Sequence, residues 1–318
     1  MRLDKLDSRI LELICCPYCK GKLESKVDQF ICIGCYRTFP IIDDVPILIN
    51  EDASVFRISD FVKQKDIFFN TTRSKFHGFL SYYLPNLSLS LNSKKNFEIF
   101  IQNLLLIKSN PRVLILGCGV APGVGISALL SHPSIEVVET DVSWGSAKLI
   151  CDSHDIPFID RSFDGVVAQA VLEHVMSPYR CVEEIYRVLD LKGLVYAETP
   201  FMQQVHGGRY DFTRFTELGH RCLFRWFFEL DRGLLCGPGM ALAWSYQYFL
   251  LSFTKSKILR SFIRVFARLT SFFLKYFDYL LINSPSALDA ASGVYFLGRK
   301  MDAPLSEREL LNTYMGVD

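Results

Sequence analysis

Cys16-Pro17-Tyr18-Cys19 and Cys32-Ile33-Gly34-Cys35 form two Cys-x-x-Cys pairs separated by twelve residues. Two intervening residues let both thiolates of a pair turn toward one ion, and two such turns facing each other complete a tetrahedral site for Zn²⁺. Disulfides and buried free thiols are the alternatives. The start MRLDKLDSRILELICC mixes acids with bases and lacks the apolar stretch of a secretory signal, which favours zinc over disulfides and places the chain in the cytoplasm. Cys15 is left over, because adjacent residues point apart.

A second set of chemically capable residues runs from Val113 to Val175. An apolar run enters the turn Gly117-Cys118-Gly119, Asp141 ends the next apolar run, and Asp152-Ser153, Glu173 and His174 follow. Glycine turns between a strand and a helix accept adenosine-containing ligands, because backbone N–H groups and a helix N-terminus face the ligand there. A dinucleotide site needs Gly-x-Gly-x-x-Gly, and Pro122 occupies the third glycine's place, so that reading is excluded. The Asp141 carboxylate has two oxygens spaced for a ribose diol. His174 has the ordinary pKa of a general base for a hydroxyl, and packing is its alternative role. Further on, HGGRYDFTRFTELGH contains His206, Tyr210, Asp211, Arg214 and His220 and reads as an acceptor-binding lid or a plain loop.

These residues need strands to hold them. The pattern predicts strands near 112–117, 135–140, 164–168 and 193–198 and helices around 123–131, 144–150 and 178–190. Such alternation gives an α/β fold with a mainly parallel, doubly wound sheet and ligands at the carboxyl ends of its strands. The apolar run Phe97 to Ile107 reads as a helix leading into the first strand, and Phe68, Phe69, Phe76, Tyr82 and Tyr83 are candidates to line an acceptor site. The chain divides into a zinc ribbon (1–52), a helical connector (53–108), a cofactor-binding core (109–235), a basic amphipathic helical insertion (236–290) and a closing strand with tail (291–318).

In order, the motifs resemble the class I S-adenosylmethionine-dependent methyltransferases, especially the group acting on small molecules and lipids. The matching stretches are the glycine turn, Asp141, Asp152-Ser153 with Ile156-Pro157-Phe158, Ser162-Phe163-Asp164, Leu172-Glu173-His174 and Arg187-Val188-Leu189. The resemblance implies a seven-stranded Rossmann-like methyltransferase sheet with S-adenosylmethionine as cofactor. It places Gly117, Cys118, Gly119, Asp141, Val142, Asp152, Ser153 and Gln169 around that cofactor, with Asp152 at the adenine amino group. It also places His174 and His206 at the transferred methyl as candidate catalytic residues. Ile115 and Ala121 depart from the family, which has an acid and a glycine there. The stretch Thr38-Phe39-Pro40 to Ile49 is similar to the tail of the zinc-ribbon family that activates tRNA and ribosome methyltransferases, which implies a structural Zn²⁺ on Cys16, Cys19, Cys32 and Cys35.

Charge bears on partners. Residues 109–232 hold eleven Lys/Arg against sixteen Asp/Glu, and residues 1–50 hold seven of each, which argues against a phosphate-backbone partner. Between Arg232 and Phe277 there is no acid, while Arg260, Arg264 and Arg268 recur among apolar residues. That basic amphipathic stretch, 255–275, either lies on the inner face of a membrane or packs on its own domain with solvated arginines. The uncharged run from Gly233 to Thr254 is interrupted by Gly237-Pro238-Gly239, so it falls short of the ~20 residues of a spanning helix. Three functions fit: O-methylation of a small, sugar- or lipid-linked acceptor, methylation of an rRNA or tRNA base, and a non-catalytic binding scaffold. The oligomeric state is left open.

Overall fold

The computed structural model describes residues 7–63, 84–119 and 123–317. Phe68, Phe69, Phe76, Tyr82, Tyr83, Ala121 and Pro122 lie outside the described residues.

Among the described residues, eleven strands form one sheet. They are β1 (Leu23–Ser25), β2 (Gln29–Cys32), β3 (Thr38–Ile42), β4 (Val45–Leu48), β5 (Arg112–Leu116), β6 (Glu136–Asp141), β7 (Leu149–Cys151), β8 (Phe163–Gln169), β9 (Leu189–Pro200), β10 (Phe227–Cys236) and β11 (Gly293–Lys300). Their spatial order is β1-β2-β3-β4-β7-β6-β5-β8-β9-β11-β10. From β7 through β9 the pairs are parallel, and β11 enters antiparallel between β9 and β10. This seven-stranded half is the expected doubly wound sheet. Its central strands are apolar on both faces: Val113, Leu114, Ile115, Val166, Val167, Val195 and Ala197 are all fully buried, as a sheet covered on two sides requires.

The other four strands belong to the ribbon, and the sheet does not stop where the ribbon ends. β4 runs parallel to β7, with Ile47 opposite Ile150 and Leu48 opposite Cys151. Ribbon residues Ile10, Ile14, Phe30, Phe39 and Leu48 share one apolar core with Leu149, Phe158, Phe163 and Leu172. Backbone bonds from Cys15 N–H to Pro157 O (3.0 Å) and from Ile159 N–H to Leu13 O (2.9 Å) fasten it further.

The helix Ser93–Ile107 forms as the apolar run predicts and buries Phe97, Phe100 and Leu104. Helices also form at Val124–Leu130 and Pro178–Val188. The helix expected at 144–150 does not form. Those residues make a bend through Gly145, at φ 158°, and then the short strand β7.

Between β10 and β11 lie the helices Pro238–Leu251 and Lys257–Ser271, a 3₁₀ segment Phe272–Phe277 and two short helices. Of the two arrangements left open for the basic amphipathic stretch, an apolar face packed inward is not the one formed. Only Ala267 and Ser271 of the Lys257–Ser271 helix are buried, whereas Ile258 and Phe262 are 73% and 68% exposed and Phe266 and Leu269 are exposed as well. Arg260 is not solvated as expected: it turns inward and donates to Leu251 O (2.8 Å) and Thr254 O (3.1 Å). Lys275 is buried and donates to Asn86 O. No helix among the described residues is long and apolar enough to cross a membrane.

Candidate active site and zinc ribbon

The four predicted thiols converge. Cys16 and Cys35 Sγ lie 3.6 Å apart, Cys19 and Cys32 Sγ 3.5 Å apart, and all four fall within 4.8 Å of one another. Lys20 and Tyr36, each directly after the second cysteine of a pair, take φ of 56° and 60°, the left-handed step that closes each knuckle. Backbone N–H groups of Gly34 and Cys35 point at Cys32 Sγ, both at 3.4 Å. Burial would raise the Cys32 thiol, but these donors and the neighbouring thiols lower it, whereas burial raises the Cys16 thiol. Cys15 is buried outside this cluster.

At the carboxyl end of β5, Gly117 and Gly119 adopt φ of 67° and 68°. A Cβ on Gly117 would meet Val171 Cγ2 at 2.5 Å, whereas one on Gly119 would meet nothing within 4 Å. Gly119 N–H donates to Asp141 Oδ2 (2.8 Å) and Ser143 Oγ donates to Oδ1 (2.8 Å), so the strand-end acid is held against the glycine turn. Cys118 is buried, and burial pushes its thiol up. Ile115 is fully buried in β5, opposite Glu139 of β6.

Asp152, expected at the adenine amino group, is held by partners within the protein. It is buried, accepts Ser54 Oγ on one oxygen, and binds the backbone N–H (3.0 Å) and Nδ1 (2.6 Å) of His154 on the other. Burial opposes ionisation, and these partners overcome it and hold the carboxyl below its usual range. Asp155, in the same turn, is bound by Asn50 Nδ2 (3.0 Å) and Arg180 (2.6 Å). Asn50 of the ribbon and Ser54 of the connector thus shape the turn at 152–155, contacts absent from any local motif.

Gln169 ends β8 and donates to Glu198 Oε2 (2.7 Å). Glu198, opposite it in register, also accepts from Tyr196 OH (2.5 Å) and Ser93 Oγ (2.9 Å) on its other oxygen. Sequence reading missed Glu198; its position at the end of a buried strand was the available signal.

Beyond β8, Glu173 is wholly enclosed, and neither carboxylate oxygen has a hydrogen-bond partner among the described residues. His174 Nε2 faces its Oε1 at 3.8 Å and His206 Nε2 faces the same atom at 3.7 Å. The two predicted histidines come together edge to face, ring centres 4.9 Å apart. The nearby Glu173 carboxylate raises the His206 imidazole above its ordinary value, against the opposing effect of burial. Asp211 fixes the loop: it accepts from the N–H groups of His206 (2.7 Å) and Gly207 (3.0 Å) and pairs with Arg214. Tyr210 stacks on Phe56. His220, expected in the same lid, is elsewhere: it is buried on the helix Glu217–Leu223 between Phe215 and Phe224. Asp164 binds Lys108 (2.9 Å) and the Arg112 N–H (2.7 Å) at the start of its strand, a packing role.

Residues 114–197 match the family described as "Methyltransferase domain", and residues 7–44 match "Trm112p-like protein". A UPF0434 protein of Dechloromonas aromatica is 40% identical over 50 residues, 15% of this chain and 86% of that protein. A UPF0434 protein of Nitrosococcus oceani is 42% identical over 53 residues, 16% of this chain and 90% of its own length. Among solved structures, Haemonchus contortus phosphoethanolamine N-methyltransferase 2 in complex with S-adenosyl-L-methionine is 16% identical with a TM-score of 0.43, over 78% of this chain and 60% of that one. A complex containing the Haloferax volcanii Trm112 methyltransferase activator is 16% identical with a TM-score of 0.42, over 68% and 96%. The chain thus belongs through its first fifty residues to the Trm112p-like zinc ribbons, and joins that ribbon in one polypeptide to an S-adenosylmethionine-dependent methyltransferase domain.

Proposed function

We propose that the chain transfers the methyl group of S-adenosylmethionine to an oxygen of a small, sugar- or lipid-linked acceptor. The observation that carries this reading is that two unlike groups follow the carboxyl ends of the parallel neighbours β5 and β8: the Gly117–Gly119 turn held to Asp141 of β6, and the Glu173, His174 and His206 cluster. In this reading Gly117, Cys118 and Gly119 admit the methionine part of the donor, Asp141 and Val142 take the ribose, and Ser153 and Gln169 complete the nucleoside side. Asp152 acts through the turn it caps. His174 and His206 receive the acceptor hydroxyl. Holding that oxygen in line with the sulfonium methyl supplies much of the rate. The outward apolar face of Lys257–Ser271, with Lys255, Lys257 and Arg264 exposed around it, supports a lipid-linked acceptor reached at a membrane surface.

The test is incorporation of labelled methyl from S-adenosylmethionine into extracts of cells lacking the chain. Label is expected in a lipid or sugar fraction, and Asp141→Ala is expected to weaken donor binding by roughly 10- to 100-fold through loss of charge-assisted hydrogen bonds. Label confined to RNA, or absent from every fraction, would overturn the proposal.

A further inference from the structure

A wholly enclosed carboxylate with neither oxygen hydrogen-bonded among the described residues calls for compensation, and there Glu173 faces two imidazole edges at 3.7–3.8 Å. We propose that Glu173, His174 and His206 bind a divalent first-row transition ion, a second metal centre besides the four-cysteine ribbon.

The spacing comes first. Nε2 of each histidine stands 3.7–3.8 Å from the same Glu173 oxygen, too far for a hydrogen bond. Ligands each about 2.1 Å from one ion in a tetrahedral arrangement lie roughly 3.4 Å apart, so a small closure completes the site.

Ring orientation is the second observation. His174 Nδ1 faces Tyr210 O at 2.7 Å, and His206 Nδ1 faces Gln204 O at 3.3 Å and Asp211 Oδ2 at 3.5 Å. An acceptor opposite Nδ1 places the proton there and turns the Nε2 lone pair toward Glu173, the outer arrangement by which proteins fix metal-binding imidazoles.

The third is access. The enclosed carboxylate and the 11% exposed His174 side chain form the floor, and His206, 26% exposed, forms the rim. Gly207 is required above them, because a Cβ there would strike the His174 ring at 2.5 Å. Two imidazoles and one carboxylate with an open side are a ligand set for a reactive, rather than a closed structural, ion.

Resting on the methyl-transfer reading above, the open position takes the acceptor's hydroxyl oxygen. That oxygen forms the new bond to the methyl carbon, the carbon–sulfur bond breaks with its electron pair returning to sulfur, and the hydroxyl proton passes to solvent water. The histidines then act through the ion.

Metal content decides the matter independently of activity. The full chain, loaded with Zn²⁺ and freed of excess, is expected to hold two equivalents by mass spectrometry, and Glu173→Gln and His206→Ala are each expected to hold one. With Co²⁺, the wild type is expected to show strong thiolate charge-transfer bands plus a weaker nitrogen/oxygen-site spectrum, and the variants only the former. A wild type holding one equivalent, or variants retaining both, would overturn the proposal. Should Glu173→Gln fail to melt cooperatively, His206→Ala on its loop decides alone. Two equivalents without methyl transfer to any acceptor would remove the function proposed above and leave the metal site standing.

Discussion

Gly117 and Gly119 share a left-handed backbone but not surroundings. Alanine at either position pays about 1–2 kcal/mol for its φ, while only at Gly117 does the added methyl press on Val171. Gly117→Ala is therefore expected to weaken S-adenosylmethionine binding by tenfold or more in calorimetry, and Gly119→Ala by clearly less; equal losses would refute the contact with Val171. The left-handed turn at Gly117 and Gly119 was legible from the sequence, because the glycine spacing within the turn sets it. The partners of Asp152 and Glu198 were not: Ser54 lies 98 residues from the one and Ser93 lies 105 residues from the other. His220 illustrates the complementary error. It stands near His206 in the segment, but the turn of helix Glu217–Leu223 carries it into the core.

At the scale of elements, the helix Lys257–Ser271 shows how periodicity identifies an amphipathic helix without saying which face looks outward. Its apolar stripe was readable, but its outward direction shows only in the fold, where Ala267 and Ser271 are the residues buried. Arg260, turned to carbonyl groups of the preceding turn, is a poor choice for probing a membrane contact. The exposed rings are the better one. Phe262→Ser with Phe266→Ser is expected to abolish flotation with anionic liposomes while leaving the melting temperature within a few degrees, because exposed side chains contribute little to folding. Unchanged flotation would exclude this face. β7 was read as a helix for a different reason: three residues are too few for a strand's alternation to register, and their place is set by β6 on one side and β4 on the other.

For the molecule as a whole, His220 gives stability a dependence on pH. Burial, with a further contribution from the Arg232 charge, lowers its pKa to about 3, against about 6.5 in an unfolded chain. Between these values the unfolded state binds the extra proton, so stability falls as pH falls below 6.5, approaching about 1.4 kcal/mol per pH unit. The melting temperature is expected to drop between pH 6 and 4.5, and His220→Phe to flatten that slope; a parallel slope in the variant would assign it to other groups. A matching UPF0434 relative consists of little more than the ribbon, since 50 residues make up 86% of it. Here the parallel pairing of β4 with β7 is made within one chain, so the ribbon meets the methyltransferase sheet as an intramolecular partner, whatever the abundance of the protein. Dilution cannot separate the two, their ratio is fixed at one to one, and a free ribbon arriving from solution would find the β7 edge already taken.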